Sequence, residues 1–118
     1  MRVYGFTEVK QGHYGRALRH NGVLSVATND VEVARWCHST FAEWAKTQGK
    51  ATTVELIAGQ AYECSLNDPQ IPVERCFWAV INYMCQKGWE PFGRAMTTEG
   101  DNSPLDLHVY SLRKVQSE

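Results

Sequence analysis

The segment from Pro72 to Trp89 constrains the fold more than any other stretch of this chain. Val73, Cys76 and Phe77, Val80 and Ile81, and Met84 and Cys85 recur at spacings of three and four residues, which lays one apolar stripe along a helix. Pro72 suits the first helical position, because its missing N–H would be unpaired there anyway. Gly88 falls where a helix commonly closes in left-handed backbone, and Trp89 follows at the position whose side chain packs back onto the last turn. The spacing therefore predicts an amphipathic helix with both ends specified, and its stripe must be buried against other elements of the same core.

Most of the remaining chain reads as strands. Arg2 to Val9 is rich in strand formers, alternating Val3 and Gly5 with Tyr4 and Phe6, and gives way to the polar stretch Lys10 to His13. Ala17 to His20 and Val23 to Val26 flank Asn21-Gly22, the preferred pair for a type I′ hairpin turn. Thr52 to Ala58 alternates in the manner of a strand with one packed and one partly wet face. Glu90 to Thr97 and Leu105 to Lys114 are placed to pair as a hairpin across residues 99–104. In the last of these, Leu107 and Val109 point to one face and Tyr110 and Leu112 complicate the other, which predicts a strand inside the sheet or one covered by a partner.

A second helix is expected from Asn29 as N-cap, with Glu32 completing a capping box, to Gln48. Val33, Cys37, Phe41 and Trp44 form its stripe, joined by Ala34 and Ala45, and Gly49 stops it. Ala61 to Gln70 reads as an irregular extension. With no repeat or linker, residues 1–118 form a single α+β domain: an antiparallel sheet of about four to five strands with two helices on one face, in the order β(ββ)αβαββ. One sheet face is then left open, and its aromatics lead us to expect cover from a homo-oligomer, a dimer or a higher assembly such as a hexamer.

Composition narrows the function classes. Hydrophobic residues make up 43% and charged residues 21% of the 118-residue chain, a globular balance. No apolar run approaches the roughly 20 residues of a membrane span, and MRVYGFTEVK lacks the apolar region of a signal peptide, so a cytoplasmic protein is expected. Cys37, Cys64, Cys76 and Cys85 form no CxxC pair, and three of them fall on apolar helical faces, so they read as structural thiols. Cys37 and His38 are adjacent and diverge by about 100° on a helix, so no metal site is expected. Residues 1–22 carry four basic residues against Glu8 alone, whereas residues 23–75 carry four against seven acidic ones. Such a bias does not suit a duplex-DNA binder, which neutralises many phosphates, but it suits one small anionic ligand.

Catalytic signatures are missing from the sequence. His13, His20, His38 and His108 accompany Cys37, Ser39 and Ser103 without a GxSxG, P-loop, dinucleotide or HExxH pattern, so neither catalytic residues nor a cofactor are expected. Arginines do coincide with aromatics and turns: Arg16 and Arg19 near the Asn21-Gly22 pair, Arg94 after Phe92, and Arg113-Lys114 after Tyr110. Arginine forks grip phosphate oxygens and nucleobases stack on aromatic rings, so this set suits a nucleotide or a short cyclic oligonucleotide. The same residues also fit plain edge charges and core aromatics.

Taken together, MRVYGFTEV, the HNG turn, WCHSTFAEWAK, QKGWEPFGRA and the closing LHVYSLRK resemble the phage Thoeris anti-defence proteins of the first type. The resemblance covers nearly the whole chain and rests on element order and size. It implies a sponge in the host cytoplasm that sequesters, without cleaving, the cyclic ADP-ribose isomers made by TIR-domain defence enzymes. Some members also hold cyclic oligonucleotides of related signalling systems. Pockets of that family lie between protomers, which implies Phe92 for stacking, Asn102 for the polar rim, and Arg113 with Arg19 or Arg16 for phosphate. Arg94 completes the candidate set, with Trp78 and Tyr83 as alternatives for stacking. Two other readings stay open: a protein-binding inhibitor of the anti-CRISPR kind, and the small bacterial domains of unknown function whose GWE helix end resembles residues 73–114.

Overall fold

The structure is a computed structural model that describes residues 2–14, 18–46, 49–68, 73–98 and 105–116. Three antiparallel hairpins are joined by two helices: β1 (Arg2–Tyr14), β2 (Leu18–Thr28), α1 (Val31–Trp44), β3 (Lys50–Ile57), β4 (Ala61–Asp68), α2 (Val73–Gln86), β5 (Trp89–Thr98) and β6 (Leu105–Gln116). All strands join one six-stranded sheet in the order β3-β4-β2-β1-β6-β5. The first hairpin thus occupies the middle, and each helix carries the chain over neighbouring strands to an edge. Both helices lie on one face, as expected for this α+β fold.

The period-2 alternation of the strands builds the core face. Val9 on β1 stands in register with Val26 on β2 and Tyr110 on β6, and Val26 with Cys64 on β4. The row above it runs Leu66, Leu24 and Gln11. Helix α1 lowers Val33, Ala34, Cys37 and Phe41 onto β2, β3 and β4, while α2 lowers Val73, Phe77, Val80, Ile81 and Met84 onto β1, β2 and β5. Each fully buried large side chain among these contributes roughly 1.5–3 kcal/mol of transfer free energy. The helices also clasp each other through Trp36 and Tyr83, whose rings stack at 3.8 Å and 4°. Burial holds the Tyr83 phenol above its ordinary pKa, with the Glu32 carboxylate adding to the effect.

Helix α2 closes as its sequence predicts. Gly88 takes φ +90°, the Lys87 amide donates to the Tyr83 carbonyl at 3.2 Å, and Trp89 is buried. Pro72 lies outside the described residues. The Glu90-to-Thr97 and Leu105-to-Lys114 hairpin also forms, slightly longer at both ends, and places β6 inside the sheet.

Other expectations are corrected. Lys10 to His13 continue β1 instead of ending it, because Gln11 and Gly12 are paired on both sides, by β2 and by β6. Asn21-Gly22 is no turn: Gly22 pairs with His13 on one side and Asp68 on the other, so sheet pairing overrides the local preference. The register steps between His13 and Tyr14 from Gly22 to Leu18, an irregularity that takes up Arg19 to Asn21. Ala61 to Asp68 is an interior strand, with Tyr62, Cys64 and Leu66 toward the helices; since the two segments expected around Asn21-Gly22 form one strand, the order is ββαββαββ and the sheet has six strands. Strand β3 is exposed along nearly all its length, because it forms an edge with no further strand beyond it.

The first helix begins and ends elsewhere than expected. Its N-cap is Asp30, whose carboxylate accepts from the amides of Glu32 at 2.8 Å and Val33 at 3.2 Å. It ends at Trp44, since after Ala45 the sequence supplies no apolar residue to hold another turn against the sheet. Cys85 is exposed rather than buried, whereas Cys37, Cys64 and Cys76 are buried.

Candidate functional site

Opposite the helices the sheet is bare. Side chains alternate across each strand, so Phe6 and Glu8 on β1, Ala27 on β2, and Ser111 and Arg113 on β6 face away from the core. Phe6 and Phe92 are among the most exposed large apolar side chains, at 55% and 50%. A groove of about 300 Å³ crosses this face from Phe92 over Ser111, Phe6 and Glu8 to Ala27, Asn29 and Leu56.

At its β5 end three side chains converge. The Phe6 ring meets Phe92 edge-on, with centroids 6.5 Å apart at 76°. The Arg113 guanidinium lies 5.4 Å from the centre of the Phe92 ring, within the range of a cation–π contact. The Glu90 carboxylate accepts a hydrogen bond from Arg113 Nε at 2.6 Å, which fixes the guanidinium at that end of the groove. Glu90 and Arg113 stand opposite each other in the β5–β6 register, as do Phe6 and Arg113 in the β1–β6 register. Pairing alone therefore gathers residues far apart in sequence.

Asn29 belongs to the same site, although its sequence context points only to a helix cap. Its side-chain oxygen accepts from the Phe6 amide at 2.9 Å, and its own amide donates to the Phe6 carbonyl at 3.2 Å. These two bonds hold Phe6 at the end of β1–β2 pairing. A polar residue one position before a competing cap, at the end of a strand, was the only signal in the sequence.

The remaining candidates separate. Phe92 and Arg94, two apart on a strand, should share a face, but a bulge between Pro91 and Gly93 adds one residue to β5. Pro91 then opposes the buried Leu112 and Gly93 opposes Ser111, so Phe92 faces outward and Arg94 turns to the helix side. There its guanidinium sits 5.4 Å from the Tyr110 ring, which also meets Phe77 and Trp78. Trp78 is exposed beside that cluster, whereas Tyr83 is taken up by the stack with Trp36. Arg19 lies on β2 within the irregular register, and its side chain, like Arg16 and Asn102 entirely, lies outside the described residues.

A second hollow of about 500 Å³ lies between the outer flank of α1 and β3, with Arg35, His38, Glu55 and Tyr62 on its walls. Beneath it a polar chain ties helix to sheet: His38 Nδ1 lies 2.8 Å from Thr53 Oγ1, Thr53 donates to Cys64 Sγ at 3.6 Å, and Cys64 donates to the Ala34 carbonyl at 3.6 Å. Since the Thr53 proton goes to sulfur, the threonine oxygen accepts from His38 Nδ1–H. The hydrogen bond that Cys37 shares with Cys64, together with burial, holds the Cys37 thiol well above its ordinary pKa. With both sulfurs fully buried, this network acts as a clasp inside the core. Among the described residues no cluster of His, Cys, Asp and Glu could hold a metal ion. Nor is any described helix long and apolar enough to cross a membrane.

No family model matches the chain, and no curated protein matches it. Among solved structures it is similar to a conserved kinetoplastid-specific protein from Trypanosoma cruzi, with a TM-score of 0.63 at 9% identity over 98% of this chain and 100% of that one. A likeness at so low an identity is a likeness of fold.

Proposed function

We propose that this chain is a binding domain that sequesters a small cyclic nucleotide signal, a cyclic ADP-ribose isomer or a cyclic oligonucleotide, on the open face of its sheet. The observation that carries this reading is Arg113 over Phe92, with Phe6 beside them, at one end of a groove of about 300 Å³. The aromatic edge offers a nucleobase an apolar wall, and the guanidinium offers phosphate a charged donor. Nothing else is required of a sponge, because free signal falls when a stable complex holds it. The protein would act in the cytoplasm, where such signals are made.

Glu90 sharpens the reading. A phosphate at Arg113 must share the guanidinium with a carboxylate already at 2.6 Å, so Glu90→Gln is expected to tighten binding while Arg113→Ala weakens it. The test is thermal shift and calorimetry with cyclic ADP-ribose isomers and a panel of cyclic di- and trinucleotides, followed by denaturation and recovery of the ligand. We expect one ligand to raise the melting temperature and to be recovered intact, and Phe92→Ala to lose about 5- to 150-fold in affinity, the worth of one stacked base. Affinity unchanged in both Phe92→Ala and Arg113→Ala would remove the groove as the site. No shift with any nucleotide would transfer the function to a protein partner.

A further inference from the structure

The hollow of about 500 Å³ between α1 and β3 lies on the helix side of the sheet, across from the open-face groove, and has the size of small-molecule sites, about 300–1,000 Å³. Strand pairing and helical spacing build its walls. Thr53 and Glu55 are two apart on β3 and stand opposite Cys64 and Tyr62 of β4, so all four side chains rise from the sheet face that the helices cover. Over them, Val31, Arg35 and His38 follow one another at helical spacing along one flank of α1.

Three polar groups on these walls have unmet capacity. Arg35 and Glu55 face the hollow with opposite charges, and among the described residues neither has an ion-pair partner within 4 Å. His38 adds an acceptor whose direction is fixed. The Ala34 carbonyl can only accept, so it takes the Cys64 proton, Cys64 takes that of Thr53, and Thr53 takes the Nδ1–H of His38 at 2.8 Å. In the neutral ring the free lone pair therefore sits on Nε2, the nitrogen turned away from Thr53, and among the described residues Nε2 has no hydrogen-bond partner. Beside these groups stand two apolar surfaces, the half-buried Tyr62 ring and the exposed Val31.

We propose that this hollow binds a small zwitterion, a free α-amino acid with an apolar side chain. Arg35 grips its carboxylate, Glu55 and His38 Nε2 accept from its ammonium, and Val31 and Tyr62 cover its side chain. An α-amino acid carries its two charges on one carbon, so a single molecule answers both Arg35 and Glu55 where neither answers the other. A bare anion would set like charge against Glu55, and a bare cation would do the same to Arg35. The inference does not depend on what the open-face groove binds, because the two sites lie on opposite faces of the sheet. A chain without nucleotide affinity leaves it standing, and a chain without amino-acid affinity overturns it alone.

The test is thermal shift and calorimetry on the full chain with L-alanine, L-valine, L-leucine, L-methionine and L-phenylalanine at millimolar concentration. The tightest binder is then compared with its amide, which lacks the carboxylate, and with its deaminated acid, which lacks the ammonium. We expect one site per chain, and a loss of about 10- to 150-fold for either analogue and for Arg35→Gln or Glu55→Gln, as for one charged hydrogen bond. His38→Asn keeps a donor for Thr53 but lacks Nε2. It should therefore weaken binding while the melting temperature of the free protein stays unchanged, which a purely structural histidine would not do. No binding by any of these amino acids overturns the proposal, as does an amide or a deaminated acid that binds as tightly as its parent. An affinity that ignores Arg35→Gln, Glu55→Gln and His38→Asn alike overturns it too.

Discussion

Gly5 is where the packing of β1 against the end of α2 can be tested most directly. A Cβ at this position would lie 2.7 Å from Cη2 of Trp89 and 3.3 Å from Cβ of Lys114, against an optimal carbon–carbon separation of about 3.5–4.0 Å. The overlap with the indole is therefore close to 1 Å. Trp89 is 3% exposed and follows directly on Gly88 at φ +90°, so the ring cannot withdraw without disturbing the helix closure. Overpacking of this kind costs about 1–3 kcal/mol. Alanine also narrows the unfolded ensemble, which offsets up to about 1 kcal/mol. We expect Gly5→Ala to destabilise the protein by about 1–2 kcal/mol, a fall in melting temperature of about 3–12 °C for a chain of this length. Urea and thermal unfolding followed by circular dichroism measure it. The cause is isolated by Trp89→Phe, which removes the clashing Cη2 atom: in that background Gly5→Ala should lose at least half of its effect. A neutral or stabilising Gly5→Ala, or effects that simply add, would refute the clash.

Asp30→Ala should cost about 0.5–2 kcal/mol, because it removes the carboxylate that satisfies the first amides of α1; an unchanged urea midpoint would return the cap to Asn29. Tyr83 has its pKa raised above 10.0 by burial in the helix clasp, so its contribution is present in full below pH 10 and is lost as pH rises through the higher folded value. Between pH 9 and 11.5 the wild type should therefore lose more melting temperature than Tyr83→Phe, and parallel curves would show that the phenol is not held neutral by the fold.

Local periodicity made both helices legible, and the C-terminal hairpin with them. Val73 to Met84 repeat at helical spacing and end in Gly88-Trp89, so every signal there points to one structure. The errors lie where tertiary pairing overrode a strong local signal or sustained a weak one. Asn21-Gly22 favours a turn in isolation, yet β1 and β4 hold Gly22 on both sides. Ala61 to Asp68 alternates Tyr62, Cys64 and Leu66 with Glu63, Ser65 and Asn67, a strand pattern obscured by residues that usually mark loops. Asp30 and Asn29 are equally good caps by residue type, and what separates them is Phe6, a strand away, whose backbone takes up Asn29.

The candidate site shows the same division more sharply. Phe92 and Arg113 were legible as residue types, but their meeting depends on the β5–β6 register, and Phe6 joins them only because β1 lies beside β6. One inserted residue at the β5 bulge decides which arginine shares the groove. Without it Arg94 would stand on the face of Phe92; with it Arg94 covers Tyr110 on the helix side, and Arg113 becomes the described arginine over the outward ring. A bulge leaves no periodic trace in a strand this short. The chemistry of the open face is therefore set by a backbone irregularity.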